Sequence, residues 1–344
     1  MPTYYFSGYT FTHVTNNITM HTSRRSFLQQ TGFMAAGMML PGCISAMTGN
    51  KALPKNVGLQ LYTLRDQLAK DPKGTLAKVA AIGYNEVETF YGYEGPADKG
   101  LFWGLTPKEL SAVLKQYNLV TPSGHYQLND YLTRGNGKND ALAPQIHLAS
   151  ELGQQYFVVP VLPLTLWDKK LVADDYKFMA AQLNKAGELC KAANMKIGYH
   201  NHFWEFKKLP DSSSTGYEIM LKETDPSLVT FELDLFWAEK AGHDPIALFK
   251  EAPGRFFAWH VKDMDKNNTG SLTAAGTENK TSMELLSGVT FAEVGTGSID
   301  FKKIFAQAQL AGVKHLFVEQ DKITIDPFTS VTESYKYVKN VLLK

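Results

Sequence analysis

Short runs of alternating or β-branched apolar residues recur along this chain, separated by longer stretches whose apolar positions repeat every three to four residues. The first kind predicts strands at Val57–Tyr62, Glu86–Phe90, Leu119–Ser123, Tyr156–Pro160, Lys196–His200, Val229–Asp234, Phe256–Val261 and His315–Glu319. The second predicts helices at Pro72–Ala81, Pro107–Tyr117, Pro144–Leu152, Asp174–Ala193, Asp244–Glu251 and Phe301–Ala311. Gly83, Asn118, Gly153, Asn194 and Gly312 follow five of these helices, where a left-handed residue ends a helix. Eight strands alternating with helices predict an α/β fold, a single (β/α)8 TIM barrel. A doubly wound open sheet is the competing arrangement, but no G-x-G-x-x-G turn follows the first strand. Two polar stretches, Gln127 to Asn139 and Asp265 to Gly288, follow the third and seventh strands and are expected to cover the C-terminal mouth.

Strand parity carries the argument from fold to chemistry. A barrel strand turns alternate side chains toward the helices and toward the axis, and the helix-facing row must be apolar. In strand five Ile197 and Tyr199 face outward, leaving Gly198, His200 and His202 inward. In strand six Val229, Phe231, Leu233 and Leu235 face outward, leaving Thr230, Glu232 and Asp234 inward. Strand seven is read with Phe257, Trp259 and Val261 outward and Ala258, His260 and Lys262 inward. Strand eight puts Leu316 and Val318 outward, so Phe317 and Glu319 face in. His200, Asp234, His260 and Glu319 thus converge at the C-terminal ends of four consecutive strands. That set suits a mononuclear divalent metal site, because buried carboxylates without a cation are costly. Gln60, Tyr62, Glu86, Glu88 and His125 supply a polar ring of substrate-contact candidates from the first three strands. Trp237, with Phe236, is a candidate apolar wall for a sugar face. Glu293, ahead of the turn Gly295 to Asp300, joins the substrate-contact set; the turn itself either approaches a substrate or phosphate closely or is an ordinary loop.

Composition narrows the function. The 344 residues carry a formal net charge of +1, which excludes the strongly basic balance of a nucleic-acid binder. The two cysteines, Cys43 and Cys190, are too few for a disulfide scaffold, and Cys190 lies in a helical pattern as a small buried hydrophobe. Near the N-terminus, Ser23-Arg24-Arg25-Ser26-Phe27-Leu28-Gln29 is a twin-arginine pattern followed by the apolar stretch Gly32 to Leu40. That stretch is far shorter than the roughly 20 residues of a membrane span, so it reads as an export signal. It ends at Leu40-Pro41-Gly42-Cys43, similar to a lipobox, so a lipid anchor at Cys43 is the expected link to a membrane, with plain soluble export to the periplasm as the alternative. A start at Met20 would give a signal of conventional length. The domain reading is 1–42 for extension and signal, 43–55 for a linker, and 56–344 for the barrel.

Tyr199-His200-Asn201-His202, Phe231-Glu232-Leu233-Asp234, His260-Val261-Lys262-Asp263 and Phe317-Val318-Glu319 resemble the xylose-isomerase-like TIM-barrel superfamily. It includes keto-sugar 3-epimerases, inosose dehydratases and, more distantly, endonuclease IV. The resemblance implies metal ligands after strands five to eight, of which Asp234, His260 and Glu319 match, while His200 stands where epimerase-like members have a glutamate. It also implies proton abstraction next to a carbonyl through a metal-stabilised enediolate, with Mn²⁺ preferred and Zn²⁺, Co²⁺ or Fe²⁺ compatible. The catalytic candidates are Glu319 as base, Lys262 at a substrate oxygen, and His202 or Glu205 in place of the missing carboxylate. The expected substrate is an unphosphorylated sugar, keto-sugar or keto-glycoside, with isomerisation, epimerisation or β-elimination as outcome, and a homo-oligomer is compatible. A carbohydrate-binding lipoprotein without catalysis is the alternative of a different class.

Overall fold

The computed structural model describes residues 54–92 and 99–344. The twin-arginine pattern, Cys43 and most of the linker lie outside the described residues. The barrel strands are β1 (Gly58–Gln60), β2 (Glu86–Tyr91), β3 (Ser123–Tyr126), β4 (Tyr156–Val159), β5 (Lys196–His200), β6 (Val229–Asp234), β7 (Phe256–Val261) and, after two short strands, β10 (His315–Val318). All pair in parallel, and β1 closes the barrel against β10. The short strands β8 (Asp263–Met264) and β9 (Phe291–Ala292) pair antiparallel just beyond β7. Among the described residues no helix is long and apolar enough to cross a membrane.

Local sequence explains the elements. The helix Pro107–Gln116 starts with a capping box between Thr106 and Glu109, has proline in its first turn, and buries Leu110, Val113 and Leu114. The helix Ala173–Ala192 buries Tyr176, Met179, Leu183, Ala186, Gly187 and Cys190, a stripe at helical spacing. Its stop at Asn194 is left-handed, with φ 59°. The expected helix over 301–311 is broken into Phe301–Phe305 and Ala308–Ala311.

Two strand expectations are corrected. The third strand runs Ser123–Tyr126 rather than Leu119–Ser123, which places His125 inside it. Val120 makes one isolated bridge to Glu86, and Pro122, which has no N–H to donate, interrupts the ladder before Thr89 pairs with Gly124. In β7, Phe257 faces the axis, not the helices. A bulge opposite Phe231 and Glu232 pairs Phe256 with Phe231 and Ala258 with Glu232, so Phe257 is the extra residue and turns inward. It stacks on Tyr156 with ring centroids 3.9 Å apart. With Val158, Ala258 and Phe317 these rings form a separate apolar plug on the axis, below the polar residues of the mouth. Gly58 makes room for it, since a Cβ there would lie 2.5 Å from the Phe317 ring. Trp259 and Val261 face the helices as expected, with Trp259 stacked on Phe249.

Candidate metal centre and its surroundings

Above the plug, the inward residues at the strand tips form one buried polar network. His200, Asp234 and His260 are 1% exposed or less, and Glu319 is 5% exposed. Their ligand atoms all lie within 4.8 Å of one another. His260 Nδ1 is 2.6 Å from Glu319 Oε2, and His200 Nε2 is 3.6 Å from Asp234 Oδ2. Asp234 Oδ1 caps the following helix, Leu235–Lys240, by accepting from the Trp237 amide. Its other oxygen is buried and accepts no hydrogen bond, although Lys262 Nζ stands 3.0 Å away. Lys262 also contacts Glu319 at 2.7 Å and Asp321 at 3.2 Å.

One layer deeper, Glu88 and Glu232 face the same histidines. Glu232 Oε2 lies 2.8 Å from His125 Nε2, 3.1 Å from His200 Nδ1 and 3.0 Å from His260 Nε2. Glu88 Oε2 lies 2.8 Å from His260 Nε2 and 3.1 Å from His125 Nε2, and accepts from Gln60 Nε2 at 2.7 Å.

The electrostatics follow from crowding five acids around one lysine and the imidazoles. Burial opposes the charge on His125, yet Glu88 and Glu232 outweigh it and hold His125 up at about 9. Burial likewise opposes charge on His260 and Lys262, and their carboxylate neighbours push both well above their usual values. Glu88 and Glu319 are held below the usual carboxylate range: burial would raise both, but His125 at Glu88 and Lys262 at Glu319 prevail. Burial pushes Asp234 up to about 6 against the pull of Lys262. His200 and His202 are driven well below the ordinary imidazole value by burial first, then by neighbouring cations. Neutral imidazole is the form that binds a metal. Two imidazole nitrogens and two carboxylate oxygens, one of them the unsatisfied Asp234 Oδ2, fit a divalent first-row ion, which would displace the proton that the carboxylates hold on His260.

The remaining candidates separate into mouth and scaffold. His202 is half-buried at the rim, stacked on Trp237 at 5.2 Å and tilted against Trp204 at 5.3 Å, and its Nδ1 is buried without a hydrogen bond. Lys262 Nζ sits 5.6 Å from the Trp237 ring centre. Tyr62 lies at the rim of β1 against Phe90 and feels Asp321, Glu319 and Lys262.

Glu205 is corrected: its carboxylate turns away from the axis. It accepts from the outward Tyr199 hydroxyl at 2.6 Å and the His202 amide at 3.0 Å, so it braces the loop. Glu293 is tied to Gln320 and Ser330. Glu86 pairs with His315 at the opposite end of the barrel. Phe236 is packing, stacked on Phe291.

The turn after Glu293 is no phosphate cradle, because the amides of Gly295, Gly297 and Ile299 all donate to Asp263. The second long loop does reach the mouth: Ser282 accepts from Trp204 Nε1 at 2.7 Å. A cavity of about 430 Å³ beside the first loop, lined by Tyr91, Asn129, Tyr131 and Asp140 among others, includes none of the axial ligands. Glu232 and Asp321 were given no role by sequence reading. The usable signal was their parity with Asp234 and Glu319, two residues away in each case.

A family model of the xylose isomerase-like TIM barrel matches residues 76–339. An inosose dehydratase of Clostridium tetani (strain Massachusetts / E88) is 29% identical over 174 residues, covering 48% of this chain and 54% of that protein. An inosose dehydratase of Lacticaseibacillus casei is 26% identical over 208 residues, covering 58% and 65%. The chain thus spans between about half and two thirds of the length of these curated relatives. Among solved structures, a sugar phosphate isomerase/epimerase from Parabacteroides distasonis ATCC 8503 is 27% identical with a TM-score of 0.67, covering 86% of this chain and 97% of that one. An L-ribulose 3-epimerase, 15% identical with a TM-score of 0.61, shares the fold.

Proposed function

Because the chain belongs to the xylose isomerase-like TIM-barrel family, we propose that it is a metal-dependent enzyme of the sugar isomerase/epimerase type. It removes the proton next to a carbonyl of an unphosphorylated sugar, keto-sugar or keto-glycoside. The observation that carries this reading is the asymmetry of the mouth. A carboxylate paired with an ammonium, Glu319 and Lys262, meets there a neutral imidazole, His202, which shares the Trp237 ring with Lys262. His200, Asp234, His260 and Glu319 would hold the ion, Mn²⁺ by preference. When bound, the ion supplies a Lewis acid for the negative charge that develops on substrate oxygens.

The chain's own groups do the rest. His202 is held between two indoles and is unprotonated at neutral pH, so it accepts the proton. Lys262 remains charged and donates to a substrate oxygen, and the Trp237 ring offers an apolar face to the sugar. The occupied amide turn at Asp263 supports an unphosphorylated substrate. The twin-arginine pattern supports action outside the cytoplasm, which fractionation and mass analysis of Cys43 would check.

A second reading is β-elimination, as in a dehydratase or a keto-glycoside lyase. The inosose dehydratase relatives favour it, as does the turning of the Glu205 carboxylate onto Tyr199, which leaves His202 rather than a further carboxylate as the proton acceptor in the proposed arrangement. Elimination needs one base and one acid, not a symmetrical pair. NMR of the metal-loaded protein with keto-sugars and 3-keto-glycosides in D₂O tests both. Deuterium entering the α-carbon with retention of the carbon skeleton's substituents marks an isomerase or epimerase, and an unsaturated product marks a lyase. Absence of exchange with every compound, together with no bound metal, would sink the proposal.

A further inference from the structure

His200 and His260 each face two ways. His200 turns Nε2 toward Asp234 and Nδ1 toward Glu232, and His260 turns Nδ1 toward Glu319 and Nε2 toward Glu88 and Glu232. The Asp234–Glu319 side is the seat considered above. The Glu88–Glu232 side lies deeper, joined by His125, and the proposed chemistry uses none of its residues. Glu88, Glu232 and His125 are 0%, 0% and 3% exposed. Each of the two glutamates also leaves its second oxygen, Oε1, buried without a hydrogen bond. The ligand atoms of His125, His200, Glu232 and His260 all lie within 4.8 Å of one another. Around a first-row dication with bonds near 2.1 Å, neighbouring donor atoms are roughly 3 to 3.5 Å apart. The distances of 2.8 to 3.1 Å from Glu232 to the three imidazoles need only a small outward adjustment to match.

We propose that His125, Glu232, His200 Nδ1 and His260 Nε2, with Glu88 beside them, form a second, inner seat for a transition-metal dication, exclusive of the outer one. Exclusion follows from imidazole chemistry. A neutral imidazole carries one lone pair and one N–H. An ion in the outer seat takes His200 Nε2 and His260 Nδ1, leaving both N–H groups to donate to Glu232 and Glu88. That is the carboxylate–histidine arrangement that orients metal ligands. An ion in the inner seat takes the opposite nitrogens, and the N–H groups turn to Asp234 and Glu319. One chain then holds one ion, and an ion in the inner seat sits beneath the histidines, away from a substrate at the mouth.

The inference rests on the metal-binding part of the proposed function, and Co²⁺ titration of the full chain, read by visible absorbance and equilibrium dialysis, separates the two. The wild type is expected to bind one equivalent. The Asp234→Asn/Glu319→Gln variant, in which the asparagine side-chain oxygen keeps the helix cap, is expected to bind one equivalent with a changed spectrum. Adding His125→Gln to it is expected to weaken binding at least tenfold. Wild-type binding with an empty double variant overturns the inner seat and leaves the proposed function standing, as does a double variant indifferent to His125→Gln. Two equivalents in the wild type overturn exclusion. A wild type that binds none overturns both readings. If the double variant does not melt cooperatively, Asp234→Asn alone replaces it, and the same dependence of its Co²⁺ affinity on His125 is required.

Discussion

Asp263 holds the turn behind the site, and Asp263→Asn isolates that function. Its Oδ2 accepts from the amides of Gly295 and Gly297 at 2.9 and 3.0 Å, and its Oδ1 from Met264 and Ile299 at 2.8 and 3.1 Å. The side chain is buried, and a Cβ on Gly297 would lie 2.3 Å from Oδ1, so neither partner has room to retreat. An asparagine in this place would keep one oxygen and turn an NH₂ toward two amide donors. Two hydrogen bonds to a charged acceptor are lost, each of about 1.5–3 kcal/mol, for a total near 3–6 kcal/mol. With unfolding entropy of roughly 0.6 kcal/mol/K for a domain of this size, the midpoint should fall by about 5–10 °C. Thermal melts followed by circular dichroism check the size, and amide hydrogen exchange at Gly295, Gly297 and Ile299 checks the place. A midpoint within about 2 °C of wild type, with exchange at those amides unchanged, would refute the reasoning. A wild-type midpoint raised by inorganic phosphate would show instead that the turn's amides are available to a ligand.

His202→Gln should lower the rate of α-proton exchange about 10²–10⁴-fold while bound metal stays at one equivalent by elemental analysis; loss of the metal as well would make His202 a ligand. Glu205→Gln should cost about 1–3 kcal/mol of stability by unpairing the Tyr199 hydroxyl or the His202 amide, with metal content intact. Complete loss of turnover at unchanged melting temperature would restore Glu205 as a catalytic group. In chelator, stability should decline between pH 6.5 and 9. His125 is raised to about 9, so its contribution is full below 6.5 and is lost as pH rises through 9, and the raised His260 acts in the same direction. His200, lowered by burial, costs stability only below 6.5 and leaves that window clean. Urea midpoints at pH 6.5 and pH 9 that coincide would contradict this. Phe257→Ala should destabilise the chain by about 3–5 kcal/mol, since it empties the axial plug; a helix-facing Phe257 would leave the Tyr156 environment unchanged by near-ultraviolet circular dichroism.

Much of this site was legible because period-two alternation holds wherever a strand is regular. β5 and β6 run over the residues expected of them, and the axial histidine and aspartate at their tips face where parity puts them. The same rule failed at Phe257 for a physical reason, since a bulge adds one residue and reverses the alternation until the ladder resumes at Ala258. Nothing in Phe256-Phe257, two equally apolar neighbours, marks which one is extra. Glu205 was misplaced because it lies in the 3-10 turn Trp204–Phe206, where alternation no longer applies and the chain folds the carboxylate back onto Tyr199. The short β3 shows another case: the expected strand Leu119–Ser123 ran across Pro122, and only the pairing of Thr89 with Gly124 shows that the ladder resumes beyond it and takes in His125.

The joint role of the inner carboxylates was hidden for a different reason, although Glu88 stood among the candidates and Glu232 was read as facing inward. Glu88 and Glu232 come from strands far apart in sequence, and their importance lies in a shared contact with His125 and His260 that no single strand reveals. That contact also gives the histidine at position 200 a consequence beyond its own identity. A glutamate there, as the resemblance implies for epimerase-like relatives, would bring three carboxylates and one imidazole to the outer seat. His200 leaves two carboxylates and two imidazoles, so the donor set carries one negative charge fewer and an ion held there would keep more of its pull on substrate oxygens. A carboxylate in that place would also be repelled by Glu232, whereas the imidazole has a second nitrogen that reaches Glu232 at 3.1 Å. The substitution and the deep acid therefore make sense only together. In the proposed chemistry, with the strand-five carboxylate gone, the other proton-transfer group would come from the next inward position in the chain, where His202 lies with its ring centre 5.2 Å from that of His200.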